Sequence, residues 1–464
     1  MLGIFKKADS PQYELFNCSV RGYSHVRKDI PCEDYSVSQE TDGVRLFAVA
    51  DGHGDPNCLR SGVGSEYACR IAVESLASFA RNVAENGFES RLFDRLECPA
   101  LMDRLIRSII AKWTSEVDAE LSRNPLTDEE YATASRLGEE FRRGIRTERM
   151  YGTTLIAGLL TEKCLLLLQQ GDGRCVVFDA EGKATQPIPW DDRCVGTATT
   201  SLCDPDAVHS VRYHVVNLEE NPVIACIAGT DGVEDSFPTS MEKTHAYYRN
   251  ILREACEMGV EALEQALATD LSDLSRQGSA DDVSVSGFVD VRRTRGFLPE
   301  FENANQLVNI RDELTLVNNR IKSMESGGML EHLAKSYDGL ALAYRTSEQR
   351  FRELDDQCRS LQEKIAAHEQ AAEVTEQEKL PFEIRELVSK LRFTKDLLAP
   401  AKKELESLTA QRDEAKKAYD EASAQMIAVE ERYLPRKEKY EALLQQKKEI
   451  TDRLSELESK QSCM

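Results

Sequence analysis

The chain is expected to fold as an α/β (α+β) protein: a β-sandwich of two antiparallel sheets flanked by helices, followed by a long helical coiled-coil region. Three observations predict this. Short apolar runs of strand length recur up to about residue 290, several of them joined by turn-forming residues. Two long segments of helical period, Gly62–Val83 and Ala100–Leu121, interrupt those runs. Beyond residue 300 the strand pattern stops, and apolar residues repeat at three- and four-residue steps almost to the end.

The strands are expected at Tyr13–Val20, Arg45–Ala50, Thr153–Leu160, Cys164–Leu168, Cys175–Phe178, Val223–Ala228 and Val283–Val289. A third helical pattern covers Tyr247–Ser275. Residues 183–221, with Pro187, Pro189 and Trp190, read as an irregular insert. In the last third, one series runs from Leu307 to Met324 and breaks at Gly327-Gly328. A second runs from Leu330 to Ile365, and a third from Ile384 to Leu457. The first two together match the third in length. An antiparallel hairpin turning near Glu373–Pro381 is therefore favoured over a parallel dimer, where Arg412, Arg436 and Lys447 would crowd the seam. Pro400 and Pro435 are expected to kink the last helix.

Charge and cysteine usage exclude several classes. The net charge is −22, of which residues 1–300 carry −17 (49 acidic against 32 basic side chains). No basic face is evident, so neither nucleic acid nor an anionic membrane is an expected partner. Thirteen cysteines without pairing pattern read as reduced thiols of a cytoplasmic protein. The opening Met1–Lys7 has no long apolar core, so no secretory signal is expected, and no stretch is long enough to span a membrane.

The chemistry lies at the strand ends. Leu46–Ala50 runs into Asp51-Gly52-His53-Gly54, and Leu165–Leu168 is followed by Gly171-Asp172-Gly173-Arg174. Val223–Ala228 leads to Thr230-Asp231-Gly232, and Asp281-Asp282 opens the last strand. Asp-Gly is also a favoured hairpin turn. That reading fits Asp172, where Cys175–Phe178 returns, better than Asp51 or Asp231, which precede helix-like sequence. Carboxylates at rigid strand ends can converge on one cleft and suit hard divalent ions.

Taken in order with Gly22-Tyr-Ser-His-Val-Arg-Lys-Asp-Ile-Pro-Cys-Glu-Asp34 and Tyr151-Gly152-Thr153-Thr154, these motifs give the chain its family likeness. It resembles the PPM-type (type 2C) metal-dependent Ser/Thr protein phosphatases, bacterial-like branch, with Gly173 where the family has Ser. The likeness spans roughly residues 13 to 291 and implies a phosphatase domain over 1–295. A linker at 296–304 is then expected, and a helical region over 305–464 with breaks near 326–328 and 373–381.

The resemblance further implies hydrolysis of phosphoserine and phosphothreonine in proteins by a metal-activated water, with two Mn²⁺ or Mg²⁺ ions and a third as in bacterial members. By motif match, Asp51 bridges two ions and Gly52 adds its carbonyl. Asp231 and Asp281 complete the first site, Glu33 serves the second, and Asp172 with Asp231 the third. Asp34 and Asp282 stand behind these ligands. His53 matches the general acid to the leaving alkoxide, a task suited to imidazole. Arg27 is the expected phosphate fork, but it precedes Glu33 by six residues where the family spacing is four, so Lys28 is an alternative. No Gly-x-Ser-x-Gly elbow offers another nucleophile. The expected partners are a phosphoprotein substrate and a coiled-coil partner, self or other. Two further readings stay open: a pseudophosphatase, and a scaffold whose coiled coil carries the main interaction.

Overall fold

Ten strands and a series of helices make up the computed structural model, which describes residues 11–87, 89–134, 137–237, 240–376 and 385–461. The strands are β1 (Glu14–Val20), β2 (Tyr35–Thr41), β3 (Val44–Ala50), β4 (Leu155–Leu160), β5 (Cys164–Gln170), β6 (Arg174–Asp179), β7 (Ala184–Thr185), β8 (Arg212–Asn217), β9 (Val223–Gly229) and β10 (Val283–Val289). They form two five-stranded sheets, ordered β1-β10-β9-β6-β7 and β2-β3-β4-β5-β8, and every pairing is antiparallel.

Both faces of each sheet are covered, which is why the central strands are apolar at every position instead of alternating. In β3, Phe47 and Val49 point between the sheets, where Phe288 meets Phe47 and Tyr13 edge-on. Leu46, Ala48 and Ala50 point outward, under the helices Ser61–Asn86 and Cys98–Arg123. The outer face of the other sheet is covered by the helices Met241–Met258 and Val260–Gln277. Those two were expected as one helix; Gly259, at φ 85°, turns the chain between them.

All seven expected strands form. The edge strand β2 and the strands β7 and β8 inside the expected irregular insert were missed: β7 is only Ala-Thr, and Tyr-Ser-Val-Ser-Gln-Glu-Thr and Arg-Tyr-His-Val-Val-Asn are half-polar and carry little hydrophobic signal.

The chain divides into two compact units, 1–308 and 309–464. Residues 296–304, expected as a linker, are helical instead: a 3₁₀ turn at Arg295–Phe297 leads into the helix Leu298–Glu325. Phe301 is buried in the first unit against Phe178, with ring centroids 5.7 Å apart, and Phe297 packs beside it. Two aromatic anchors inside this stretch explain why the sandwich extends past residue 295.

The second unit is helical. The helices Met329–Glu376 and Arg385–Gln461 follow a turn at Gly327-Gly328. Contacts between the arms run antiparallel: Glu313 meets Arg453, Glu325 meets Tyr440, Tyr337 meets Tyr433, Tyr344 meets Tyr419 and Asp355 meets Arg412. As the number on one arm rises, that on the other falls by a matching amount, and the register holds across the Gly-Gly turn. Arg412 is accommodated in the seam by Asp355 at 3.9 Å and Asp413 at 2.7 Å. Ile310, Val317, Ile321, Leu443 and Ile450 form a buried cluster. The last helix continues through Pro400 and Pro435 without a break. The turn expected near 373–381 falls largely on residues 377–381, outside the described residues.

Candidate metal centre

The motif carboxylates gather where strand ends from both sheets meet. Gly229 at the end of β9 lies opposite Arg174 of β6 and Val285 of β10. Asp172, Asp231 and the Asp281-Asp282 pair therefore leave neighbouring strand ends of one sheet. Asp51 arrives from the other sheet, at the end of β3. Thr154 fixes it by donating its N–H to the Asp51 carbonyl (2.9 Å) and accepting the Asp51 N–H on Oγ1 (3.0 Å). Thr153 adds a hydroxyl bond to the same carbonyl at 2.8 Å. Gly52 threads between Glu33 and Ser61; a Cβ there would lie 2.5 Å from the Glu33 carbonyl oxygen.

One carboxylate oxygen each of Asp51, Asp172 and Asp231 lie within 4.8 Å of one another. Asp172 Oδ1 is buried without a hydrogen-bond partner. Burial and the charges of Asp172 and Asp281 push the Asp231 pKa up to about 8. Burial and Asp231 likewise drive that of Asp51 well above the carboxylate range. Carboxylates held this close, one with an orphaned oxygen, could hold a hard cation. Asp172 is not a hairpin turn, because β5 and β6 on either side of it belong to different sheets and do not pair.

Glu33 lines the same cleft, which measures about 620 Å³. Its Oε1 accepts from Ser61 Oγ at 2.9 Å, and its carbonyl accepts from Ser65 Oγ at 2.5 Å, so the start of the Ser61–Asn86 helix positions it. Burial raises the Glu33 pKa. Asp281 also lines the cleft, with its side chain 59% exposed, outside the tight trio. Asp282 is buried and accepts the N–H groups of Gly22 (2.5 Å) and Glu33 (2.6 Å) and the Nδ1 side of His25 (3.0 Å). Asp34 is buried and accepts the Thr230 hydroxyl at 2.8 Å; burial, then the Asp282 charge, raise its pKa.

His53 lines the cleft, its backbone N–H donating to the Gly152 carbonyl at 3.1 Å. Burial lowers its pKa, against the opposing pull of Asp172 and Asp204. Arg27 is not brought in. In the helix Tyr23–Lys28, residues 24, 25 and 28 face the cleft, whereas Arg27 is exposed, with its guanidinium 5.9 Å from the Tyr23 ring centre. Lys28, the alternative, lines the cleft.

Charged cleft residues that escaped the sequence reading include Arg149, Asp204 and Asp235. Asp235 follows Asp231 by one helical turn, a spacing that offered a signal. Arg149 and Asp204 carried none, since both sit in short irregular segments. Residues 196–199 of the expected insert border the cleft. Close by, Arg174 forks to Glu234 and stacks under Trp190 at 3.7 Å.

The family model described as protein phosphatase 2C matches residues 21–272, more than half of the chain. The chain belongs to the protein phosphatase 2C family. It is a protein serine/threonine phosphatase of that family, and metal activation is general among its members. Among solved structures, a bacterial serine phosphatase is 16% identical, with a TM-score of 0.37, covering 60% of this chain and 98% of its own. The catalytic domain of the serine/threonine phosphatase PstP, solved with two manganese ions, is 18% identical, with a TM-score of 0.33 and coverages of 60% and 97%. A serine/threonine phosphatase from S. agalactiae is 16% identical, with a TM-score of 0.36 and coverages of 60% and 99%. No curated protein matches the chain by sequence. Among the described residues, no helix of this phosphatase is long and apolar enough to cross a membrane.

Proposed function

We propose that this cleft hydrolyses phosphoserine and phosphothreonine esters of proteins with two Mn²⁺ or Mg²⁺ ions, and that Asp172 with Asp231 holds a third. The observation that carries the reading is the orphaned Asp172 Oδ1 set among the Asp51 and Asp231 carboxylates. Glu33, Asp51, the Gly52 carbonyl, Asp231 and Asp281 would hold the first two ions. Bound there, the ions supply Lewis acidity toward the phosphoryl oxygens and acidify water at neutral pH.

The protein's own groups do the rest. Asp282 holds the Gly22 and Glu33 backbones, and Asp34 holds Thr230, so the ligands keep their places without bonding substrate. Lys28 and Arg149 are the permanently cationic side chains that line the cleft, and they take the phosphate role first expected of Arg27. Among the described residues, no hydrogen bond or ion pair engages the Arg149 guanidinium, so its donors are free to turn to a phosphate. His53 gives its proton to the departing alkoxide. Burial holds its pKa down, and the charge of a bound phosphate dianion works in the opposite direction, when the proton is needed.

The helical unit, with its own apolar seam and none of these residues, serves assembly or targeting through a coiled-coil partner. The twelve described cysteines are all free thiols, in keeping with a cytoplasmic setting. The test is hydrolysis of a phosphothreonine peptide with Mn²⁺ and with excess chelator. Turnover that stops with the chelator is expected; undiminished turnover overturns the reading.

A further inference from the structure

A second groove, of about 910 Å³, opens at the other end of the sandwich from the acidic cleft. The cleft gathers the end of β9 and the start of β6, whereas this groove lies by the start of β9 (Val223) and the end of β6 (Val177, Asp179). One wall is β8, the outermost strand of its sheet.

The exposed edge of β8 has a definite polarity. The Leu218 N–H donates to the Lys163 carbonyl at 2.8 Å, which sets the alternation of the β5–β8 ladder. His214 and Val216 therefore turn their backbone groups toward β5, and Tyr213 and Val215 turn theirs away. Among the described residues, nothing pairs with the backbone N–H or C=O of Tyr213 or Val215. Both residues line the groove. An unpaired edge with a groove beside it is a template for one more strand.

Charge decides what that strand is. Asp94, Asp179, Glu181 and Glu220 line the groove against a single guanidinium, Arg95. We propose that this groove docks an extended, lysine- or arginine-rich segment of a partner polypeptide, which adds a strand to β8. Its backbone pairs with Tyr213 and Val215. Side chains on one of its faces meet the apolar wall at Val177 and Val216, and cationic side chains meet the acidic rim. The site is separate from the metal cleft, so occupancy requires neither metal nor turnover.

The test uses the full chain and a fluorescein-labelled peptide of about nine alternating lysines and valines, read by fluorescence anisotropy. Saturable binding is expected. N-methylation of alternate peptide amides should weaken it by about ten-fold or more, because backbone pairing supplies the affinity. Val215→Pro should do the same: the Val215 N–H points away from β5, so proline there removes an edge donor and no ladder bond. Glu181→Lys combined with Glu220→Lys changes only exposed side chains and should weaken binding as much, with an unchanged circular dichroism melt. Equal affinity for the N-methylated peptide, or for a lysine-glycine peptide of the same charge, would reduce the effect to unspecific attraction and overturn the proposal. Unchanged affinity in both variants would do so too. Self-association that Val215→Pro abolishes, without peptide binding by the wild type, would give the edge to a second copy of the chain and likewise overturn it.

Discussion

The buried carboxylate of Asp282 accepts the backbone N–H of Glu33 at 2.6 Å, joining the last strand of the sandwich to a residue near its beginning. Its other oxygen takes the Gly22 N–H. One side chain thus sets where the first acidic motif sits relative to the last. Asp282→Ala would leave both N–H groups without an acceptor. It should cost about 2–5 kcal/mol in urea denaturation and weaken Mn²⁺ binding. Asp282→Asn keeps one oxygen and should cost clearly less. Equal stability of all three proteins would show that the bonds are not structural.

Metal should stabilise the fold by relieving carboxylate repulsion. In a chelator, Asp51→Asn or Asp231→Asn should raise the thermal midpoint above wild type, since each removes one of the crowded anions. With Mn²⁺ at about 100 times its dissociation constant, wild type should gain about 2.7 kcal/mol, and the variants little or nothing. A midpoint in chelator lower than wild type would mean that these carboxylates stabilise the fold and are not held for an ion.

His53→Ala should lose about 10²–10⁴-fold on a phosphoserine peptide. On a nitrophenyl ester, whose leaving group needs little protonation, the loss should be much smaller. Equal losses would leave His53 a positional role only.

Arg149→Ala and Lys28→Ala should each weaken inhibition by inorganic phosphate and raise KM by about 10–100-fold, the worth of a hydrogen bond to a charged group. Arg27→Ala should alter neither, because Arg27 faces away from the cleft. An effect at Arg27 alone would return the phosphate role to the residue the motif implied.

Residues 1–308 alone should fold and keep metal-dependent activity. Ending the chain at 295 instead removes Phe297 and Phe301 from the core. By comparison with buried Phe→Ala changes, that should cost about 3–5 kcal/mol. Thermal midpoints of the two fragments check this. Identical midpoints would restore the earlier boundary and the linker reading of 296–304.

The sequence by itself determined the central strands, the flanking helices, the acidic motifs and the antiparallel tendency of the last third. These signals are local or periodic: continuous apolar runs where both faces are covered, three-four spacing where one face is, and Asp-Gly at strand ends. Tertiary structure decided what depends on placement. The edge strands β2 and β8 form through pairing with a neighbour, not through their own hydrophobicity. Phe301 shows its role only through the Phe178 ring that it meets across the chain. Arg149 enters the cleft because the turn before β4 stands beside His53, whereas Arg27, inside the motif, points out because the short helix carrying it turns residues 24, 25 and 28 inward. Spacing along a chain sets which residues can share a face of one element. Which faces converge is set by packing between elements distant in sequence, and that is where the cationic side chains of the cleft and the open edge of β8 were decided.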